Sequence, residues 1–593
     1  MKTAVQGGGG IQLGGVSLGF GQNRILLAYK ILVGCYLGFF YFTARAATFE
    51  ALFCALLLIV VAFLPGYLWC SGKAKGLPIV PALALYFIPT YALPVQTASK
   101  VLAAYSPEEQ AEGILYAMGY LLLITLCWHQ VCNRDARPQK SCYMIDPGKS
   151  VNWMLAILFG YLGLQLFGRN LPEGLFSLLR GILMNGTALA CFILSFYAGQ
   201  GKLKSLAKGL FFGLLAASIF LEAASLILAS SLVRLAVVMA GYGLGSGKIP
   251  WKGVSVLVAI IWLLHAGKAQ MREEYWQEGV MGTTKAEIWE YPAVFGRWME
   301  LGLENTFQKG KAKEDDQTAA ERGSLLNVFL KIKSQTPSKI PYLEGLTYQE
   351  IPKLLVPRFL NKEKGFSHIG NMWLAYLYGF TSEENLTRVS IQFDLMMEGF
   401  ANYGAMGVAG VATAMGIFLG VVGRMSTGVP LMSLRFFFAI LVLNTILGTN
   451  NTLGVFVTTL WQGSIGLILL SFIMMKKLSN PLFVSSGQTR ELKRPDFVEG
   501  GKREVGREVE DRRWEIGPLK PAPAHPSKSL REIEGERFRA GIEDRETEDR
   551  EPRTEDSGLP SSNSGNPSAA QPEDPPVRHK RPKRFVYGEK PDA

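Results

Sequence analysis

The stretch TFEALFCALLLIVVAFLPGYLWC, residues 48–70, carries one charged side chain, Glu50. About 20 apolar residues, wound as a helix, cross the ~30 Å hydrocarbon core of a bilayer. The same pattern recurs along the chain. Apolar runs occupy approximately 25–43, 48–70, 77–95, 113–131, 151–169, 181–199, 209–229, 231–246, 253–267, 400–422, 431–449 and 454–475. The eighth and ninth are short. These runs predict an all-α polytopic membrane protein of about 12 transmembrane helices. The organisation expected is a flexible N-terminal arm (1–24), helices 1–9 (25–267), one large extracytoplasmic loop (268–399), helices 10–12 (400–477) and a disordered cytoplasmic tail (478–593).

Composition agrees once its segregation is seen. Of 593 residues, 49% are hydrophobic and 19% charged, with mean hydropathy +0.18. Residues 481–593 hold 22 of the 61 basic and 23 of the 49 acidic side chains. That excludes a cytosolic globular enzyme with one core, collagen and coiled coil. A pI near 9.2 can come from basic cytoplasmic loops, so it does not imply nucleic acid. The tail is rich in Pro, Ser, Glu and Arg and cannot bury enough apolar surface to offset chain entropy. Its basic end, Arg578 to Arg584, reads as solvated or as a contact for anionic headgroups. The seven cysteines lack partner histidines and read as free thiols.

Loop charge sets the expected orientation. One set of connections carries Lys73 and Lys75; Arg134, Arg137, Lys140 and Lys149; Lys202, Lys204 and Lys208; Lys248 and Lys252; Arg424; and Lys476 with Lys477. The alternate set carries Arg45, Lys100, Arg169, Arg180 and Arg234. Both termini are therefore expected in the cytoplasm, and residues 268–399 outside. Within that loop, Lys268 to Phe307 reads as amphipathic helix and Lys309 to Asp316 as a charged patch. Ala319 to Lys333 has helical spacing, Thr336 to Gly370 is punctuated by Pro and Gly, and Asn385 to Phe400 reads as a helix entering the tenth span.

Ionisable groups inside the spans are few. Glu222 and Arg234 call for an ion pair or an aqueous cavity. His129 and His265 sit near span ends and read as interfacial tips. Pro78, Pro81, Pro89 and Pro94 make the third span either a broken, re-entrant element or a kinked helix. The outer loop is denser in chemistry: Arg358, Lys362, Lys364 and His368 fall within eleven residues. Arg grips phosphate oxygens in pairs, Lys adds point charge, and an imidazole can take a proton from a hydroxyl. Cations beside a base are what transfer from a diphosphate-linked donor requires. An ordinary hydrophilic loop is the alternative. No P-loop, Rossmann fingerprint, metal-ligand cluster or DxD-like pair in an α/β pattern is found.

Tyr342-x-x-Gly345-x-Thr347-Tyr348, followed by Pro357-Arg358 and Lys364, resembles the O-antigen polymerase (Wzy-type) family and its pattern Pro-Arg-x-x-Trp-Pro-x-Lys-Pro. Asn361, Lys362 and Gly365 depart from that pattern. Glu398-Gly-Phe-Ala-Asn402-Tyr-Gly404-Ala-Met-Gly407 is similar to the family's entry into the next span, and Arg322 fits a position often held by Arg. The resemblance covers roughly residues 320–410. It implies a metal-independent, cofactor-free glycosyltransferase of GT-C-like membrane type, working in the inner (plasma) membrane. Its substrates would be undecaprenyl-diphosphate-linked oligosaccharide units, joined into polysaccharide at the outer face. A chain-length regulator and a flippase are candidate partners; no nucleic acid is expected. On this reading Arg358 and Lys364 hold the diphosphate, with Arg322, Lys362 and Arg388 as further binding residues. His368 is a candidate base, and Glu398 orients an arginine or acts as base instead. Arg169 and Arg180 would guide the lipid at the membrane surface. The rival readings are an O-antigen ligase and a 12-helix flippase or transporter of lipid-linked glycan.

Overall fold

The computed structural model describes residues 10–13, 16–45, 48–134, 141–168, 171–224, 226, 228–248, 251–275, 286–307, 323–356, 361, 365, 367–386, 391–448 and 452–479. All of them belong to one compact unit, 1–492. The tail beyond 479, the patch Lys309 to Asp316 and residues 319–322 lie outside the described residues.

Each of the twelve apolar runs is helical. They are α1 (Gln22–Thr43), α2 (Phe49–Cys70), α3 (Ile79–Gln96), α4 (Pro107–Cys132), α5 (Pro147–Phe167), α6 (Glu173–Gly199), α7 (Ser205–Ala224), α8 (Leu228–Ser246) and α9 (Trp251–Tyr275). The large loop adds α10 (Tyr291–Phe307), α11 (Leu325–Gln335), α12 (Ile351–Leu355) and α13 (Ile369–Leu377). The last three runs are α14 (Leu395–Ser426), α15 (Leu434–Gly448) and α16 (Leu453–Met474). Among the described residues, nine helices are long and apolar enough to cross a membrane; α8, α9 and α15 contain shorter apolar stretches. The chain is an all-α polytopic membrane protein.

Four local expectations change. Residues 10–21 of the Gly-rich arm pair as an antiparallel hairpin, β1 (Gly10–Leu13) with β2 (Val16–Gly21), because apolar residues alternate on both sides of Gly14-Gly15. Lys268 to Phe307 holds two helices, not one: α9 runs on to Tyr275 and α10 starts at Tyr291. The second loop helix starts at Leu325, where the Ser324 side chain accepts from the Asn327 N–H. The helix expected over Asn385 to Phe400 begins only at Leu395. Asp394 is extended, and its carboxylate caps the Met397 N–H at 2.8 Å. The loop therefore ends at Asp394. The four prolines of α3 produce a kinked but continuous helix with a π-helical turn at Ile88–Ala92.

Two cores hold the unit. The larger joins α2, α3, α4 and α14 to α5, α6, α15 and α16. The smaller collects Ala223, Leu264, Met271, Val294, Trp298 and Leu301 from α7, α9 and α10. The connections meet in two groups. The Lys73 carbonyl accepts from Asn133 and contacts His129; Leu77 N–H bonds Ser426; and Lys476 pairs with Asp146 at 2.7 Å. There β3 (Ser141–Ile145) pairs antiparallel with β4 (Met475–Ser479), a strand in place of the expected end of the last helix. At the other ends of the same helices, Gln96 meets Thr43 and Arg45, and Lys333 of α11 pairs with Glu112 of α4 at 2.7 Å.

Candidate functional site

α14 is not one straight helix. Residues 395–402 form a short half-helix, the backbone breaks at Tyr403 (φ −143°, ψ 18°) and Gly404 (φ 61°, ψ −142°), and the span continues from Ala405. Gly404 occupies the left-handed region, and a Cβ there would come within 2.8 Å of Tyr342 Oη. Only glycine fits both demands.

The loop segment 342–348 docks on this break. Leu343 N–H donates to Ala401 O (3.0 Å) and Glu344 N–H to Asn402 O (3.2 Å). The buried Asn402 amide does the rest. Its Oδ1 accepts from Gly345 N–H (2.9 Å), and its Nδ2 donates to Thr347 Oγ1 (2.9 Å) and Glu398 O (2.8 Å). Gly345 (φ 85°) lies against Tyr403, whose hydroxyl would be 2.5 Å from a Cβ. Two of the stretches that carry the resemblance, Tyr342–Tyr348 and Glu398–Gly407, about 55 residues apart in sequence, are one packed unit.

Glu398 is fully buried at the centre of that unit. Its Oε2 accepts from Leu453 N–H at 2.6 Å, so the carboxylate sits on the N-terminus of α16, where the helix dipole favours negative charge. Among the described residues, Oε1 has no hydrogen-bond partner, and neither has the buried Tyr348 Oη. Gly370 of α13 presses on the same spot, its notional Cβ 3.6 Å from Glu398 Oε1 and 3.1 Å from Thr452 Oγ1. Asn371 Oδ1 accepts from Thr452 N–H (3.2 Å) and Oγ1 (2.6 Å), and Nδ2 donates to Ile391 O (3.3 Å). Upstream, Tyr91 of the π-helical turn donates its hydroxyl to Asp394, the cap of the half-helix. Burial holds the Asp394 carboxyl above its ordinary value.

His368 stands two residues before Gly370 and is exposed. Desolvation by the surrounding protein pulls its imidazole below the ordinary value. Arg180 is exposed on α6. Arg169, Arg322, Arg358, Lys362, Lys364 and Arg388 lie outside the described residues. The flanks of the cationic segment are described. Leu355 O accepts from Trp461 Nε1 (3.1 Å). A Cβ on Gly454 would touch Leu354 Cδ1 at 3.4 Å and Ser367 O at 3.2 Å. The described flanks, Leu354–Leu355 and Ser367, thus both pack on the N-terminal half of α16, at Gly454 and Trp461.

The sequence reading had His368 and Glu398 but missed Asn371, Thr452 and the Tyr91–Asp394 pair. The proline-rich third span was the signal for Tyr91. Nothing local marks Thr452. The other intramembrane charges are paired elsewhere: Arg234 Nη2 lies 2.5 Å from Glu222 Oε1, Tyr161 donates to the same oxygen at 2.7 Å, and the guanidinium covers the Tyr161 ring at 4.8 Å. All seven cysteines are free thiols. Among the described residues, no three His, Cys, Asp or Glu side chains are grouped to hold a metal ion. Comparison with protein-family models found no match, and neither did comparison with curated proteins or with solved structures.

Proposed function

We propose that the protein is an inner-membrane polysaccharide polymerase of the O-antigen polymerase type. It has twelve spans, cytoplasmic termini, and its site on the outer face. The observation that carries this reading is the anchoring of both flanks of the Arg358–Lys364 segment on the N-terminal half of α16, whose first residue Leu453 bonds Glu398. The topology is supported by the two groups of loop contacts: basic connections meet basic connections, and the opposite connections meet the large loop.

The reaction is substitution at an anomeric carbon. A hydroxyl of the next lipid-linked repeat unit attacks that carbon, the bond to the diphosphate oxygen breaks, and undecaprenyl diphosphate departs. His368, neutral near pH 7, takes the hydroxyl proton. Arg358 and Lys364 neutralise the diphosphate as it leaves. Glu398, too buried to meet the sugar directly, offers Oε1 to the Arg358 guanidinium and so aims it. In-line placement of two lipid-linked substrates supplies the rest.

The test is the lipid-linked glycan that accumulates in a deletion strain. Single outward-facing repeat units support polymerisation. Polymer lacking final attachment would mean a ligase, and inward-trapped units a flippase. Within the site, Glu398→Gln and Arg358→Ala should each abolish most polymer formation, and their combination should cost little more than either alone. Fully additive losses would separate the two residues.

A further inference from the structure

An apolar groove of about 380 Å³ runs between α4 and α14. Its walls are Leu115, Gly119, Tyr120, Ala405 and Ala409, and Glu112 stands at its outer end. Gly119, Ala405 and Ala409 are exposed, and nothing lies within 4 Å of where a Gly119 side chain would be. The bare side chains around it, Leu126, Met406 and Ile417, belong to the same two helices, so the groove opens onto the lipid-facing surface. From Glu112 to Leu123 it measures about 16 Å at ~1.5 Å per residue, about half of a ~30 Å hydrocarbon core. That is the depth of one leaflet.

The rim carries both signs of charge. Lys333 Nζ lies 2.7 Å from Glu112 Oε2, and the Glu112 side chain is 51% exposed. We infer that this groove binds one phospholipid with a zwitterionic head, its phosphate on Lys333, its primary ammonium on Glu112, and one acyl chain along Gly119 and Ala409. The charge pattern selects that occupant. A diphosphate head would meet one cation and be repelled by Glu112, and a long polyprenyl tail exceeds one leaflet. The bound chain backs the half-helix 395–402 through Tyr116, which packs edge-on against Phe400 at 5.4 Å. The inference does not depend on the glycosyl-transfer reading.

The test uses the full chain, delipidated in mild detergent and re-exposed to phosphatidylethanolamine, phosphatidylglycerol or polyprenyl diphosphate. Retained lipid is counted by native mass spectrometry. Wild type should keep one phosphatidylethanolamine. Ala409→Phe, which fills the groove from an exposed position, should lower its retention at least about tenfold. Leu126→Phe, on the bare surface outside the groove, should not. Glu112→Lys leaves the groove open and should shift retention toward phosphatidylglycerol. Unchanged retention in Ala409→Phe would overturn the site. Equal retention of both phospholipids by wild type and Glu112→Lys would overturn the head assignment. Preferential retention of polyprenyl diphosphate by wild type would replace the proposed occupant with that lipid.

Discussion

Glu222 and Glu398 are buried within different helices, and they are held in opposite ways. Glu222 of α7 faces a full positive charge, Arg234 of α8, with Tyr161 sharing the contact. Glu398 of α14 faces the backbone of α16 at a helix terminus, its Oε2 accepting from Leu453 N–H. The first arrangement compensates a charge with a charge and locks neighbouring helices. The second sets it against the dipole at the N-terminus of a helix. Burial is common to both, so what separates them is the partner: a side-chain cation in one case and a helix terminus in the other.

The largest effect should come from breaking the first arrangement. Arg234→Ala leaves Glu222 buried without its partner and should cost about 3–5 kcal/mol of stability. Thermal unfolding in detergent reads it, while polymer formed per folded molecule stays near normal. Replacing both, as Glu222→Leu with Arg234→Met, should restore most of the loss. If the double variant folds but makes no polymer, the pair belongs to the chemistry and the contrast collapses.

Next comes Arg358→Ala. Loss of a forked charge-assisted contact removes about 2–4 kcal/mol from the transition state, roughly a hundred- to thousandfold in rate. Arg358→Lys should recover only part, because an ammonium cannot bridge two oxygens. Polymer yield at matched membrane abundance is the measurement; near-normal yield from Arg358→Ala would remove the outer loop from the mechanism.

Asn402→Ala sharpens the comparison at smaller scale. It strands the Gly345 N–H and the Thr347 hydroxyl in a buried place, at about 1–3 kcal/mol. Because those bonds seat the loop on the break, protease cleavage within 342–348 should accelerate while the rest of the bundle stays resistant. Uniform destabilisation of all helices would show that Asn402 serves the core and not the docking.

The smallest effect is in pH. His368 lies below the ordinary imidazole value, so its neutral form dominates at pH 7.5 and polymer formation should fall less than about twofold by pH 6.5. Below its own value the rate should drop about tenfold per unit. In stability the sign is the same: a depressed histidine disfavours the folded state once pH falls through the unfolded value. His368→Gln should make the residual rate independent of pH over this range. An unchanged acid limb in that variant would assign the proton to another group.

Apolar run length determined the helices, since hydrocarbon thickness imposes one scale on every span. The loop charge pattern carried the expected topology, and the spacing of Tyr342, Gly345 and Thr347 and of Glu398, Asn402 and Gly404 marked the two segments that meet. Where α14 starts was misread because the apolar pattern runs through Asn385 to Phe400; a single capping carboxylate, Asp394, sets the boundary instead. The tertiary structure alone decided that Glu398 meets Leu453, that Asn371 meets Thr452, and that a strand after α16 pairs with one before α5. Each joins residues tens to hundreds of positions apart with a backbone N–H as one partner. A pattern of side-chain types is silent about such contacts, because a backbone N–H looks the same at every position until the chain has brought it to its partner.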